Sequence, residues 1–192
     1  MRQNYLRNGL TKHKSCDSMS RGNLLPDVKG WFSDMKRIYI KEQVCMGCHL
    51  CEVYCQAAHS QSRDLIKVFK NESPCPLPRL SVEEQSPVFF SVQCRHCVEP
   101  HCVYACLTGA LQKDPDSGIV TVDVEKCIGC WTCILACPFG VIRQDTKQKK
   151  MVKCDLCPGE DVPVCVVNCP NDALIYAEAK DDSSTNIEGV VG

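Results

Sequence analysis

Residues 118–142 read GIVTVDVEKCIGCWTCILACPFGVI, and the fold turns on them. Val120, Val122 and Val124 alternate with Ile119, Thr121 and Asp123, the two-residue period of a strand. Cys127, Cys130 and Cys133 follow at a spacing of two intervening residues, with Gly129 suited to the tight loop between them. Ile134, Leu135 and Ala136 supply about one helical turn before Cys137-Pro138 stops it. The stretch therefore reads as strand, cysteine loop, short helix, and then a second strand.

Outward from this stretch the same unit recurs. Sixteen of the 18 cysteines fall into four groups. They are Cys45-x2-Cys48-x2-Cys51-x3-Cys55, Cys94-x2-Cys97-x4-Cys102-x3-Cys106, Cys127-x2-Cys130-x2-Cys133-x3-Cys137 and Cys154-x2-Cys157-x7-Cys165-x3-Cys169. Their ends are alike too: Cys106-Leu-Thr-Gly-Ala-Leu, Cys137-Pro-Phe-Gly-Val-Ile and Cys169-Pro-Asn-Asp-Ala-Leu. This is an internal repeat with loops of varying length.

Eighteen cysteines in 192 residues imply either a disulfide scaffold or a metal protein. The opening MRQNYLRNGLTKHKSCDS has no apolar core of a secretory signal and no twin-arginine pair. A cytoplasmic chain is expected, and there clustered thiols stay reduced and bind metal. No stretch approaches the roughly 18 apolar residues of a membrane span, so membrane contact is expected only through a partner. The net charge of −1 argues against nucleic acid, which calls for a basic face. Aromatics are only 6%, thin for a conventional core, and metal clusters can replace part of one.

A cubane iron–sulfur cluster needs four thiolates around a compact core. Three can come from one tight loop, whose backbone N–H groups point at the sulfides. The fourth follows on a departing helix, and in two-cluster ferredoxins it ligates the other cluster. Zinc would instead pair C-x2-C knuckles some 12–20 residues apart, and disulfides conflict with the compartment.

With these motifs in place, residues from about 35 to 179 resemble the four-cluster ferredoxin-like subunits of anaerobic oxidoreductases such as dimethyl sulfoxide reductase, formate dehydrogenases and hydrogenases. VQCRHCVEPHCVYAC and MVKCDLCPGEDVPVCVVNCP carry that resemblance. MKRIYIKEQVCMGCHLCEVYCQAAHSQSRDL and PLPRLSVEE resemble, more narrowly, the ferredoxin-like partner of anaerobic nickel–iron carbon monoxide dehydrogenase. Small subunits of tungsten aldehyde oxidoreductases look similar at the N-terminus. The resemblance implies an α+β fold of tandem bacterial-ferredoxin-like units, with short strands and helices around a cluster-dominated core. It pairs the second repeat with the third and the first with the fourth, to hold four [4Fe–4S] clusters. Cys94, Cys97 and Cys102 would then share a cluster with Cys137, and Cys127, Cys130 and Cys133 with Cys106. Cys45, Cys48 and Cys51 would join Cys169, and Cys154, Cys157 and Cys165 would join Cys55. Leu107 stands where many members have proline, which touches loop shape and not ligation.

The expected organisation is a loose extension (1–34), a four-cluster domain (35–179) and a polar tail (180–192). The inner ferredoxin unit spans about 88–146 and the outer about 38–60 plus 150–179. An insertion at 56–93 carries a helix from Asp64 to Phe69, a turn from Pro74 to Pro78 and a strand from Val88 to Val92. Cys16 and Cys75 fit no motif and are expected to be bystanders. His49, His96 and His101 sit inside loops whose four cysteines are already complete, so they are read as loop or supporting residues. Trp131 and Tyr104 are expected to shield clusters. Lys126, Lys153 and Arg95 adjoin ligands and either offset cluster charge or are solvated loop ends.

No G-x-G-x-x-G or Walker A sequence is present, and no catalytic arrangement stands out. The function expected is a single-electron relay with no substrate site. It would run between carbon monoxide dehydrogenase and a hydrogenase or an NAD(P)H-forming flavoprotein. Alternatives are the same role beside a formate dehydrogenase, hydrogenase or aldehyde oxidoreductase, or a non-redox docking module held together by clusters or zinc.

Overall fold

The computed structural model of the chain describes residues 35–178; the extension 1–34 with Cys16, and the tail 180–192, lie outside them. The elements run β1 (Lys36–Ile40), α1 (Leu50–Ala58), α2 (Leu65–Asn71), β2 (Leu80–Gln85), β3 (Val88–Gln93), α3 (His101–Tyr104) and β4 (Leu111–Lys113). They continue with β5 (Val120–Val122), α4 (Thr132–Ala136), β6 (Arg143–Asp145), β7 (Lys150–Val152), α5 (Val164–Val167) and β8 (Leu174–Glu178). The second, third and fourth motifs each run strand, cysteine loop, short helix, strand. In the first motif, α1 leads instead into the insertion.

The insertion's helix forms as α2 because Asp64 caps it. The Asp64 carboxylate accepts from the backbone N–H groups of Ile66 (3.0 Å) and Lys67 (2.8 Å), two of the donors that a helix start leaves orphaned. Val68 is its buried residue. The strand expected at Val88–Val92 is β3, paired antiparallel with β2 in a tight hairpin.

The strands form four two-stranded antiparallel ladders, and three of them tie the motifs together. β4–β5 links the second motif to the third, and β6–β7 links the third to the fourth. β1–β8 joins the two ends of the described chain, with Ile38 opposite Tyr176. The helices pair in the same nested order, α3 against α4 and α1 against α5.

Two small cores result, and cysteine is a principal constituent of each. One gathers Leu111, Val120, Cys133, Ile142 and Met151, flanked by Cys102, Cys106, Cys127 and Cys137. The other gathers Cys51, Cys55, Leu80, Cys165 and Leu174, flanked by Ile38, Val82 and Cys169. The first draws on the second and third motifs, and the second draws on the first and fourth.

Candidate metal centres

Each cysteine loop turns at the same place. The residue just before the second cysteine has a left-handed backbone: Gly47 (φ +66°), His96 (+45°), Gly129 (+69°) and Leu156 (+63°). Glycine accepts this freely, whereas His96 and Leu156 hold strain that only a strongly determined loop sustains. At Gly129 space also demands glycine, because a Cβ there would run into the Lys149 carbonyl oxygen. The four loops are thus one backbone design despite their unequal lengths.

The loops create two open, thiol-lined hollows. One is lined by Cys45, Cys48, Cys51 and Cys169, with Ile40, Val44 and Leu174 among its apolar walls. The other is lined by Cys127, Cys130, Cys133 and Cys106, with Leu111, Trp131 and Met151. In both, three cysteines of one motif meet the last cysteine of another.

Among the remaining thiols, charge influence also runs between motifs. Burial first, and then the neighbours Cys94 and Cys137, push Cys97 and Cys102 up. Burial first, and then Cys154, Cys55 and Cys157, push Cys165 up. Cys75 joins none of these groups: burial and the Glu72 charge alone raise it.

This donor set fits iron–sulfur clusters. Burial pushes Cys51 and Cys154 up to about 12 and Cys133 to about 11. Such buried thiols stay protonated until a metal takes the proton's place.

Donors already aim at the sulfurs. The Arg79 N–H points at Cys55 Sγ (3.3 Å), the Ala173 N–H at Cys169 Sγ (3.2 Å) and the Thr132 hydroxyl at Cys130 Sγ (3.5 Å). Such bonds to sulfur are among the levers that set a cluster's potential.

A polar group beside Cys55 and Cys157 was not visible in the sequence. His59 Nε2 meets Asp155 Oδ1 at 3.1 Å, its Nδ1 meets the Cys55 carbonyl oxygen at 2.8 Å, and Arg79 pairs with the other Asp155 oxygen. Burial works against the His59 imidazolium, but the bonds to Asp155 and Cys55 outweigh it and lift His59 to about 9. Burial likewise disfavours the Asp155 carboxylate, yet His59 and Arg79 hold it well below the usual range. Asp155 lies inside the fourth motif, but its partners are 96 and 76 residues away, so no local signal marks them.

The histidines inside the loops divide. His49 bonds Glu52 (2.9 Å) and Glu84 (2.6 Å), and His101 is exposed. His96 is buried and accepts from the Val120 N–H at 2.9 Å. Trp131 packs on the inner core as expected. Tyr104 does not shield: it is 70% exposed, since the four-residue α3 turns it outward. Of the three cations beside ligands, Lys126 pairs with Asp123, Arg95 stacks on Phe139 at 4.7 Å, and Lys153 is buried.

Thiol quartets of this kind define the class: an iron–sulfur protein. Comparison with known proteins places it further. The 4Fe-4S dicluster domain profile matches residues 85–179. The chain is 36% identical over 168 residues to a sulfite dehydrogenase subunit of Allochromatium vinosum, covering 77% of this chain and 70% of that one. It is 35% identical over 150 residues to electron transport protein HydN of Escherichia coli K12, covering 70% and 83%. It also matches "Putative oxidoreductase AegA" of the same organism, 37% identical over 145 residues; this is 71% of the chain but only 21% of that relative's length. The chain belongs to the 4Fe–4S dicluster ferredoxin-like electron-transfer family. Among the described residues no helix is long and apolar enough to cross a membrane.

Proposed function

We propose that this chain is a one-electron relay holding four [4Fe–4S] clusters, with the last cysteine of each motif ligating the cluster of its partner motif. The carrying observation is the gathering of Cys106 with Cys127, Cys130 and Cys133, and of Cys169 with Cys45, Cys48 and Cys51. The influence of Cys137 on Cys97 and Cys102, and of Cys55 on Cys154, Cys157 and Cys165, supports the same crossing for the other two. On this reading the inner ferredoxin unit spans about 88–146 and the outer about 38–60 plus 150–179.

Clusters so bound take up and return single electrons, at potentials between about −700 and +450 mV. The chain's own residues hold the irons, exclude water with Leu111, Leu174 and Trp131, and direct N–H and O–H groups at the sulfurs. With four cysteines at every site, no iron is left open for substrate. The chain is therefore a carrier and not an enzyme. Relatives named as an electron transport protein and as part of a sulfite dehydrogenase support a place beside a larger redox enzyme.

For that enzyme we propose an anaerobic carbon monoxide dehydrogenase, with a hydrogenase or NAD(P)H-forming flavoprotein as acceptor, in the cytoplasm. The support is the resemblance carried by MKRIYIKEQVCMGCHLCEVYCQAAHSQSRDL and PLPRLSVEE. Anaerobic analysis is expected to give about 16 irons per chain; near eight, or stoichiometric zinc, would refute the four-cluster reading. Mixing with carbon monoxide dehydrogenase and carbon monoxide is expected to bleach the clusters. Bleaching only by a formate dehydrogenase or aldehyde oxidoreductase would reassign the partner and leave the relay standing.

A further inference from the structure

Lys153 is only 2% exposed. Its Nζ donates to the carbonyl oxygens of Val120 and Cys154, the latter at 2.8 Å. Two carbonyls satisfy two of its three donors without cancelling its charge, and a buried charge is costly unless paired. Among the described residues no carboxylate stands within 4 Å of it. The adjacent Asp155 is already engaged by Arg79 and His59.

Two cysteine loops converge on the ammonium: it bonds the Cys154 carbonyl directly, and through Val120 it reaches His96 in the loop of Cys94 and Cys97. Cys102 belongs with Cys94, Cys97 and Cys137, whereas Cys154 belongs with Cys157, Cys165 and Cys55. Lys153 therefore stands where the inner and outer units meet.

Val120 fixes this junction from both sides of its peptide. Its N–H donates to His96 Nδ1, and its carbonyl oxygen accepts from Lys153. Accepting at Nδ1 keeps the His96 ring neutral. The positive charge at the junction thus rests on Lys153 and is not shared with His96.

We propose that the Lys153 ammonium takes its counter-charge from the two clusters flanking it, raising their potentials so that a transferred electron rests at the junction of the two ferredoxin units. The electron comes from the redox partner of the relay, and each reduction adds one negative charge to the flanking site. A fixed buried cation stabilises that reduced form more than the oxidised one. The inference rests on the four-cluster reading above.

The test is an equilibrium redox titration of the full-length, iron-loaded protein, followed optically and by electron paramagnetic resonance alongside an iron count. In Lys153→Met, two of the four couples are expected to fall. Their reduced-to-oxidised ratio at a fixed potential should drop at least tenfold, about 59 mV for a one-electron couple. The other two couples stay in place, and Lys153→Arg brings all four close to wild type. Full iron with four unmoved couples, or an equal shift of all four, overturns the proposal. If Lys153→Met does not load iron, Lys153→Gln keeps an N–H donor without the charge and carries the same test. Failure of both neutral variants while Lys153→Arg loads normally supports an obligatory counter-charge, and failure of all three reduces Lys153 to packing and overturns it. Near eight irons in the wild type would instead sink the four-cluster reading.

Discussion

Cys137→Ser separates crossed from local ligation in one experiment. Cys137 ends the third motif, directly after α4, yet its thiol acts on Cys97 and Cys102 of the second. Its own loop thiols, Cys127, Cys130 and Cys133, line a hollow completed by Cys106. Removing this one sulfur should therefore empty the site of Cys94, Cys97 and Cys102 and leave the other intact. Iron should fall from about 16 to about 12 per chain, with roughly a quarter of the visible absorbance lost. The three freed thiols are each partly accessible. Brief anaerobic alkylation with iodoacetamide, mapped by mass spectrometry, should label them and spare Cys127, Cys130 and Cys133. The reciprocal change, Cys55→Ser, should free Cys154, Cys157 and Cys165. Labelling of Cys127, Cys130 and Cys133 with protection of Cys94, Cys97 and Cys102 would refute the crossing and with it the nested pairing of motifs.

Two further expectations concern the scaffold. Leu111 is 2% exposed in the inner core, so Leu111→Ala should cost about 2–5 kcal/mol; Leu135→Ala, at a position 89% exposed, should change little, and thermal bleaching of the loaded proteins compares them. Gly129→Ala should lose iron or stability well beyond Gly140→Ala. Both glycines are left-handed, at φ +69° and +61°, but only at Gly129 would a Cβ meet backbone, the Lys149 carbonyl; equal effects in chemical denaturation would remove the close-approach argument.

The sequence made the local unit legible because its determinants are local. Cysteine spacing, the valine alternation of 120–124 and Asp64 before an apolar run each act within a few residues, and β5, α4 and α2 formed where they pointed. β2 was harder to read, since its LSVEEQ sequence carries two adjacent glutamates and gains strand structure by pairing with β3. Which loop faces which is decided by β1–β8 and by α1 against α5, contacts between distant segments that leave no periodic trace. The same limit hid the His59–Asp155–Arg79 group. Lys153 shows a different one: its position beside Cys154 is equally compatible with a solvated loop end, and only the packing of β5 over it makes it a buried charge. His96 and Leu156 stand where the other two loops have glycine, so the shared left-handed turn is visible only in the backbone.

The thin core and the cysteine loops are one physical solution. Each core has few large apolar side chains and includes thiols whose ionised form burial opposes. The protein interior thus favours the thiolates mainly when metal compensates them, and the metal in turn supplies cross-links that short helices such as α3 and α5 cannot. The proposed crossed ligation would enlarge this effect, because a cluster held by two motifs closes a long chain loop, and constraints on longer loops remove more unfolded-state freedom. The outer pair joins motifs at opposite ends of the described chain, the inner pair joins neighbours, and one strand pair, β1–β8, closes the outer set. On that reading, cluster binding and folding are linked in the same residues.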